Sequence, residues 1–254
     1  MRNSIRFTAL ALCLALALPA MAQMPSSMNI CTINVERPKP GMAAQYEAGR
    51  KKHMAWHKMQ KDTWTWNVWA VSTGEATGGY VVGSCFHAWR DYDGRDKFEA
   101  ADLANHALTV GPTVAGGTTA YYALRRDLSL NTDPLNAPYI TVVHFMLHPD
   151  SANTFIEGVR KVNDAIRKAN YPAPPSQWYQ LANGGEGPHF VLVQSRANMA
   201  AMQPPEKSLD ELMTEVYGKE QGPAILGNLR RSIRSQSSEL LQYRKDLSYE
   251  PAAK

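Results

Sequence analysis

The sequence predicts an α+β fold made of two tandem copies of one strand-helix-strand-strand-helix-strand unit. Three observations predict it. The first is an internal echo. Trp64 to Trp89 reads as two apolar strands joined by a Gly-rich turn, and Gln177 to Met199 repeats that reading. Gly49 matches Gly158 at a spacing of 109, and Gly74 and Tyr80 match Gly184 and Phe190 at 110. Gly111-Pro112 matches Gly222-Pro223 at 111, and Arg126-Asp127-Leu128-Ser129 matches Lys245-Asp246-Leu247-Ser248 at 119. Matches in one order with a slowly growing offset mark a duplication. The second observation is the order of hydrophobic periods, two for strands and 3.6 for helices, which is the same in both halves. The third is that strands are apolar on both faces. In Trp64 to Val71 one face carries Trp64, Trp66, Val68 and Ala70, and the other Trp69 and Val71. A sheet wet on one side alternates more cleanly. Each sheet is therefore expected to be covered by its own helices and by its twin.

The elements follow in order. Asn29 to Glu36 alternates as a strand and is stopped by Pro38 and Pro40-Gly41. Met42 to Lys61 reads as a helix with Tyr46, Gly49, His53 and Trp56 on one face. The basic run Arg50-Lys51-Lys52 reads as its solvated side. After the strand pair, Asp91 to Val110 is helical, and Gly111-Pro112 and Gly116-Gly117 end it. Thr118 to Leu124 is the last strand of the first half, residues 28–130. Residues 131–138, with two prolines and no apolar pattern, read as a linker. The second half, residues 139–249, opens with the strand Tyr139 to Leu147 and the helix Ser151 to Ala169, whose face carries Phe155, Val159, Val162 and Ile166. Leu209 to Tyr217 starts a later helix that Gly222-Pro223 is expected to interrupt, and Glu239 to Tyr243 is the closing strand.

Residues 1–22 read as a secretory signal peptide. Arg2 and Arg6 precede the apolar run Phe7 to Leu18, and Ala20-Met21-Ala22 sets small residues at −3 and −1 of a cut before Gln23. The protein is therefore expected to be periplasmic or secreted, with no stable membrane insertion after cleavage. Removing Arg2 and Arg6 changes 27 basic against 23 acidic residues into 25 against 23. That near-neutral balance argues against nucleic acid as a partner. Monomer or weak homo-oligomer is the expected state. Cys13 leaves with the leader, so Cys31 and Cys85 remain. They stand at the start of the first strand and the end of the third, antiparallel neighbours in the expected sheet, and are expected to form a disulfide.

The β-α-β-β-α-β order is the split unit of ferredoxin-like domains. With the duplication, the Gly-turn strand pair and the repeated Asp-Leu-Ser ends, the chain from about Met28 to Tyr249 resembles the dimeric α/β-barrel superfamily. The resemblance implies two ferredoxin-like halves fused in one chain, their sheets paired into a pseudo-dimeric barrel. The superfamily holds monooxygenases, heme-degrading enzymes, chlorite dismutase-like heme proteins, isomerases and proteins of no known activity, so heme is the one cofactor it implies. Heme-degrading members use a first-strand Asn, a Trp and a later-helix His. Asn34 and His106 stand in similar regions, but Trp89 does not fall at the matching distance from His106.

Among seven histidines, His53 and His57 have the i, i+4 spacing of metal ligands. No Glu lies between them as in H-E-x-x-H, and they are expected to be hydrogen-bonded packing residues with no metal. His144 and His148 share strand parity, and His144 is expected to face the inter-sheet cavity. His87 and His189, on the third strands, are further candidates. Trp66, Trp69 and Trp178 suit a flat apolar ligand, and Asn34 is the polar candidate on the first strand. No nucleophile elbow, P-loop or dinucleotide fingerprint is present. The leading expectation is an exported protein that binds a small, partly aromatic molecule between the two halves. The alternatives are a monooxygenase or heme-dependent oxidoreductase, and an interaction module with a filled barrel.

Overall fold

The computed structural model describes residues 29–130 and 135–252. The expected leader at residues 1–22, Met28 and linker residues 131–134 lie outside the described residues. The chain folds as an α+β protein with eight antiparallel strands and five helices. Residues 30–124 contribute β1 (Ile30–Pro38), α1 (Ala43–Met59), β2 (Asn67–Val71), β3 (Tyr80–His87), α2 (Trp89–Asp93), α3 (Asp96–Thr109) and β4 (Val114–Leu124). Residues 139–243 contribute β5 (Tyr139–Leu147), α4 (Ala152–Lys168), β6 (Ser176–Asn183), β7 (His189–Arg196), α5 (Leu209–Arg231) and β8 (Ile233–Tyr243). β1 and β5 are offset by 109 residues, and so are α1 and α4.

The strands hydrogen-bond in the order β1-β3-β2-β8-β5-β7-β6-β4, and β4 returns to β1. The order β4-β1-β3-β2 in the first half is repeated by β8-β5-β7-β6 in the second. Short seams join the halves, where Trp69 of β2 lies opposite Tyr243 of β8, and Tyr122 of β4 opposite Leu181 of β6. Strand parity sends side chains alternately to the interior of the ring and to the helices. Trp69, Val71, Val81, Ile140, Val142 and Leu241 pack in the interior. Trp66, Val68, Tyr80 and Val82 pack under α1, and Phe190 and Trp178 pack against Phe155 and Val159 of α4. Two-sided burial of these strands is what their mixed alternation foretold.

Glycine at the helix crossings explains one echo. A Cβ on Gly49 would stand 2.1 Å from the Thr109 carbonyl oxygen, and one on Gly158 would stand 2.7 Å from the Leu229 side chain. Both glycines let the later helix approach the earlier one. Another echo is not structural. Gly111 opens a 3-10 turn after α3, whereas Pro223 lies inside α5. The break in α5 falls at Gly218, with φ +84, a conformation glycine takes readily. Pro223 lies five residues further on, inside the segment that resumes there.

β4 and β8 both begin earlier than their apolar patterns do. Gly116-Gly117 continues β4, because a Cβ on Gly117 would stand 2.4 Å from the Val35 carbonyl oxygen, and only glycine lets the strands pair there. The start of β8, Arg234 to Ser238, is polar and exposed, and shows no period to read. The helical region predicted over Asp91 to Val110 is split into α2 and α3 around Gly94. Cys31 and Cys85 form a disulfide beside a β-bulge in β3, where the register with β1 shifts and Phe86 takes φ +70. Among the described residues, no helix is long and apolar enough to cross a membrane.

Candidate functional site

Two hollows lie on opposite sides of the strands, and between them they take four of the candidate residues, Asn34, Trp66, Trp69 and His144. The interior hollow, about 160 Å³, is lined by Trp69, Tyr122, His144 and Tyr179 among aliphatic side chains and the disulfide. The other, about 330 Å³, lies between the first half's strands and its helices α1 and α3. Trp66 and Asn34 face this second hollow. Trp66 and Trp69 are three apart on one strand run, so they cannot share a face. Trp178 lines neither hollow and stacks with Phe145 and Phe155 in the second half's core.

His144 does face the interior, where its Nδ1 is 3.1 Å from His189 Nε2. Burial holds His144 below the usual imidazole pKa, and burial with the His144 charge holds His189 down to about 4. His148 lies just past β5, exposed, its backbone N–H on Ser232, and joins no hollow. His87 stacks on Trp64 at 3.6 Å and bonds Ser84 at 2.7 Å. Burial, reinforced by the Arg95 charge, holds it down to about 4. The predicted site residues are thus divided among several environments.

The hollow between sheet and helices is built by residues that alternate off β1 and β4 and by one stripe of α1. Tyr46, Arg50, His53 and His57 recur at helical spacing and are all buried. Arg50 is therefore not part of a solvated face. It is 2% exposed and pairs with Glu36, while Lys51 and Lys52 point to water. Glu36 also accepts from the Tyr46 hydroxyl at 2.6 Å and lies 3.2 Å from His106 Nε2 on α3. Burial opposes its ionisation, but His106, Arg50 and Tyr46 outweigh burial and hold the carboxyl far below the usual range. Asn34 Oδ1 accepts from the Thr119 hydroxyl at 2.7 Å.

Deeper in the same wall, His57 Nδ1 is 2.9 Å from Asp62 Oδ2. Asp62 also receives Arg95, the Trp66 indole N–H at 3.0 Å and the Trp64 backbone N–H at 3.1 Å. Burial raises its pKa, and these donors together bring it well below the carboxylate norm. His53 Nδ1 is 2.9 Å from Asn105 Oδ1. Burial lowers the His53 pKa. The Nε2 atoms of His53 and His57 turn toward each other at 3.3 Å and toward Asp102 Oδ1 at 3.1 and 3.4 Å. This triplet is the one group of the described residues whose donors could hold a metal ion. The expectation that His53 and His57 are packing residues without a metal missed Asp102, which comes from α3. Glu36, Arg50 and Asp62 were missed as well. The signal for Arg50 was its place four residues after Tyr46 and three before His53.

No family model matches the chain, and no curated protein does. Solved structures do. A candidate monooxygenase from Lactobacillus acidophilus NCFM shares 11% identity over 89% of this chain and 98% of its own, with a TM-score of 0.55. An anthrone oxidase-like protein shares 12% over 89% and 94%, with a TM-score of 0.51. A chlorite dismutase variant from Candidatus Nitrospira defluvii shares 7% over 85% and 92%, with a TM-score of 0.55. The chain shares its fold with these proteins.

Heme is the cofactor that the sequence resemblance implies. It needs a broad flat slot beside its axial ligand. The hollow between sheet and helices, about 330 Å³, is at the low end of the ~300–1,000 Å³ of ordinary ligand pockets, and Glu36, Arg50 and His106 stand in its wall. The interior hollow is below the ~300–1,000 Å³ of ordinary ligand pockets. Neither hollow has the room that a porphyrin needs.

Proposed function

We propose that the protein is an exported oxidoreductase that acts on a small, partly aromatic molecule in the hollow between the first half's sheet and helices. The architecture behind this reading is two fused ferredoxin-like halves closed into a barrel, which the 109-residue repeat of β1 and α1 supports. One observation carries the choice of site. The first half sets buried Arg50 and partly buried Glu36 and His106 around an opening, while the second half fills the same layer with Phe155, Val159 and Leu226. Buried charge costs stability and is kept where chemistry needs it. The fold likeness to an anthrone oxidase-like protein and to a candidate monooxygenase supports the reaction class.

The residues do the following in this reading. His106 donates Nε2–H to Glu36, so its ring can take a second proton on Nδ1 while the carboxylate stabilises the imidazolium. Arg50 and Tyr46 keep Glu36 ionised for that task. Trp66 and Tyr121 offer aromatic walls to a flat substrate. The test is oxygen uptake with anthrone and related polycyclic phenols. His106→Ala is expected to lower kcat/KM by roughly 100-fold, and His144→Ala to leave it unchanged. Absence of uptake with every phenol, or a His106→Ala protein as active as the wild type, would overturn the reading.

The interior hollow is the site first expected for a ligand. At about 160 Å³ it is close to a cavity that holds benzene, roughly 150 Å³. It offers His144 as its imidazole contact, and a monocyclic apolar compound is the largest occupant proposed for it.

A further inference from the structure

We infer that His53, His57 and Asp102 form a binding site for one divalent first-row transition-metal ion, with zinc and ferrous iron the best matched. The inference starts from where the protons are. Asp62 already accepts from Arg95, the Trp66 indole and the Trp64 backbone, and it faces His57 Nδ1 at 2.9 Å, so that nitrogen is the donor of the pair. The Asn105 carbonyl oxygen faces His53 Nδ1 at 2.9 Å, so the same holds there, with the amide orientation assigned from this network. A neutral imidazole protonated on Nδ1 has a bare lone pair on Nε2. Both bare nitrogens turn toward one place.

The third corner is Asp102. The residue is 9% exposed, and its Oδ1 is buried with no hydrogen-bond partner of sound geometry. Three acceptors thus stand at the corners of a triangle with edges of 3.1, 3.3 and 3.4 Å, and no donor lies among them. Left so, they repel, and one of them is a buried carboxylate oxygen without a partner, which is costly. A cation removes both problems. Zinc lies ~2.0–2.1 Å from imidazole nitrogen and ~2.0–2.2 Å from carboxylate oxygen, and tetrahedral geometry then spaces the donors by about 3.4 Å. The observed edges need only small adjustment.

Two further features agree. Metal-bound histidines almost always donate their other N–H to a carboxylate or carbonyl, which fixes the tautomer. Here Asp62 and Asn105 do this for one histidine each, and Asp62 is itself held by Arg95 and Trp66. The triplet also lines the hollow, so coordination positions stay open on one side. Two imidazoles, one carboxylate and open positions suit zinc or non-heme ferrous iron, whereas calcium and magnesium prefer oxygen. The second half supplies a control within the chain. Val162 and Ile166 stand 109 residues after His53 and His57 and pack as core.

This inference concerns the proposed pocket but does not rest on its reaction, because ion binding is read without substrate. The full exported chain is stripped with chelator and titrated with Zn(II) by calorimetry and with Co(II) by visible absorption. One ion per chain is expected, with ligand-field bands of a low-coordinate Co(II) site and a raised Tm. Asp102→Asn and His53→Gln should each weaken binding at least 100-fold. Asn105→Ala should weaken it about 10- to 100-fold, as loss of a supporting partner does. Asp102→Asn keeps the shape of a partly accessible residue, so it decides the matter if His53→Gln does not fold. A wild-type protein that takes up no stoichiometric ion, or variants that bind as well as the wild type, would overturn the site. Binding without phenol turnover would uphold it while removing the oxidoreductase reading.

Discussion

The helix–sheet layers of the two halves occupy matching places and are held by different forces. In the first half, α1 carries Tyr46, Arg50, His53 and His57 along its buried stripe. In the second, α4 carries Phe155, Val159, Val162 and Ile166 at the same offsets. One layer is an electrostatic lattice around a hollow, and the other is close-packed apolar core. A packed apolar layer is the cheaper way to cover a sheet, since buried ions repay their desolvation only when well partnered. In the proposed reading the first half keeps its polar layer for use, whereas the second half's apolar layer serves stability alone.

The largest expected effect comes from breaking the lattice at its centre. Asp62 is 3% exposed and accepts from His57, Arg95, Trp66 and the Trp64 backbone. Asp62→Ala leaves Arg95 and the N–H groups of His57, Trp66 and the Trp64 backbone without their acceptor, and should cost ~3–5 kcal/mol in urea unfolding. Phe155→Ala in the second half should cost a similar ~3–5 kcal/mol through a cavity. Loss of less than 1 kcal/mol for Asp62→Ala would break the comparison, because the first layer would then owe nothing to its charges.

The halves differ in a second respect. Cys31 and Cys85 are bonded in the first half, while Ile140 stands opposite Ser195 at the corresponding place in the second. The crosslink closes a loop of 54 residues, which in the chain-entropy model stabilises the fold by ~4 kcal/mol. Cys31→Ala with Cys85→Ala should lower the unfolding free energy by up to that amount, measured against oxidised wild type. Equal stability with and without the bond would show that the second half's uncrosslinked arrangement suffices for both.

Much of this was legible from local pattern. Two-faced apolar strands disclosed the double covering, and antiparallel neighbours disclosed the disulfide. What failed was anything set by distant residues. His53 and His57 announce themselves by an i, i+4 spacing, but Asp102 completes the triplet from another helix, 45 positions after His57. Arg50 was hidden in a basic run whose other members are exposed. Trp178 looked like a ligand wall, and its parity with Phe190 across the ladder sends it to the core instead. Pro223 drew the predicted helix break away from Gly218, because proline is the louder signal although glycine took the positive φ.

Acid should act on both halves alike. His87 in the first and His189 in the second are each held down to about 4 by burial, helped by the charges of Arg95 and His144 respectively. An unfolded imidazole titrates near ~6.5. Between those values the unfolded chain binds more protons than the folded one, so stability is full above the window and falls as pH falls through it. Each histidine should account for ~1–2 kcal/mol after allowance for partial exposure. Chemical unfolding at a series of pH values should show a slope that His87→Gln and His189→Gln each reduce. An unchanged slope in His189→Gln would place the acid sensitivity wholly in the first half's lattice and sharpen the contrast.

The smallest effect is expected on the second half's surface, where charges are plentiful and idle. Arg230 and Asp210 form a two-point pair at 2.6 and 2.9 Å, tying the end of α5 to its start, and both side chains are 57% exposed. Good geometry alone would rank this pair with the strongest ion pairs in the molecule. Solvent screening and the entropy of holding two long side chains oppose it, and exposed pairs are worth ~0–1 kcal/mol. Arg230→Ala should therefore shift stability by no more than ~0.5 kcal/mol, and the shift should vanish in high salt. The buried Asp62–Arg95 pair, by the same reasoning, should keep most of its effect in salt. A loss above 1 kcal/mol for Arg230→Ala that persists in salt would mean that the pair braces the kink at Gly218, and the second half would then depend on charge as the first does.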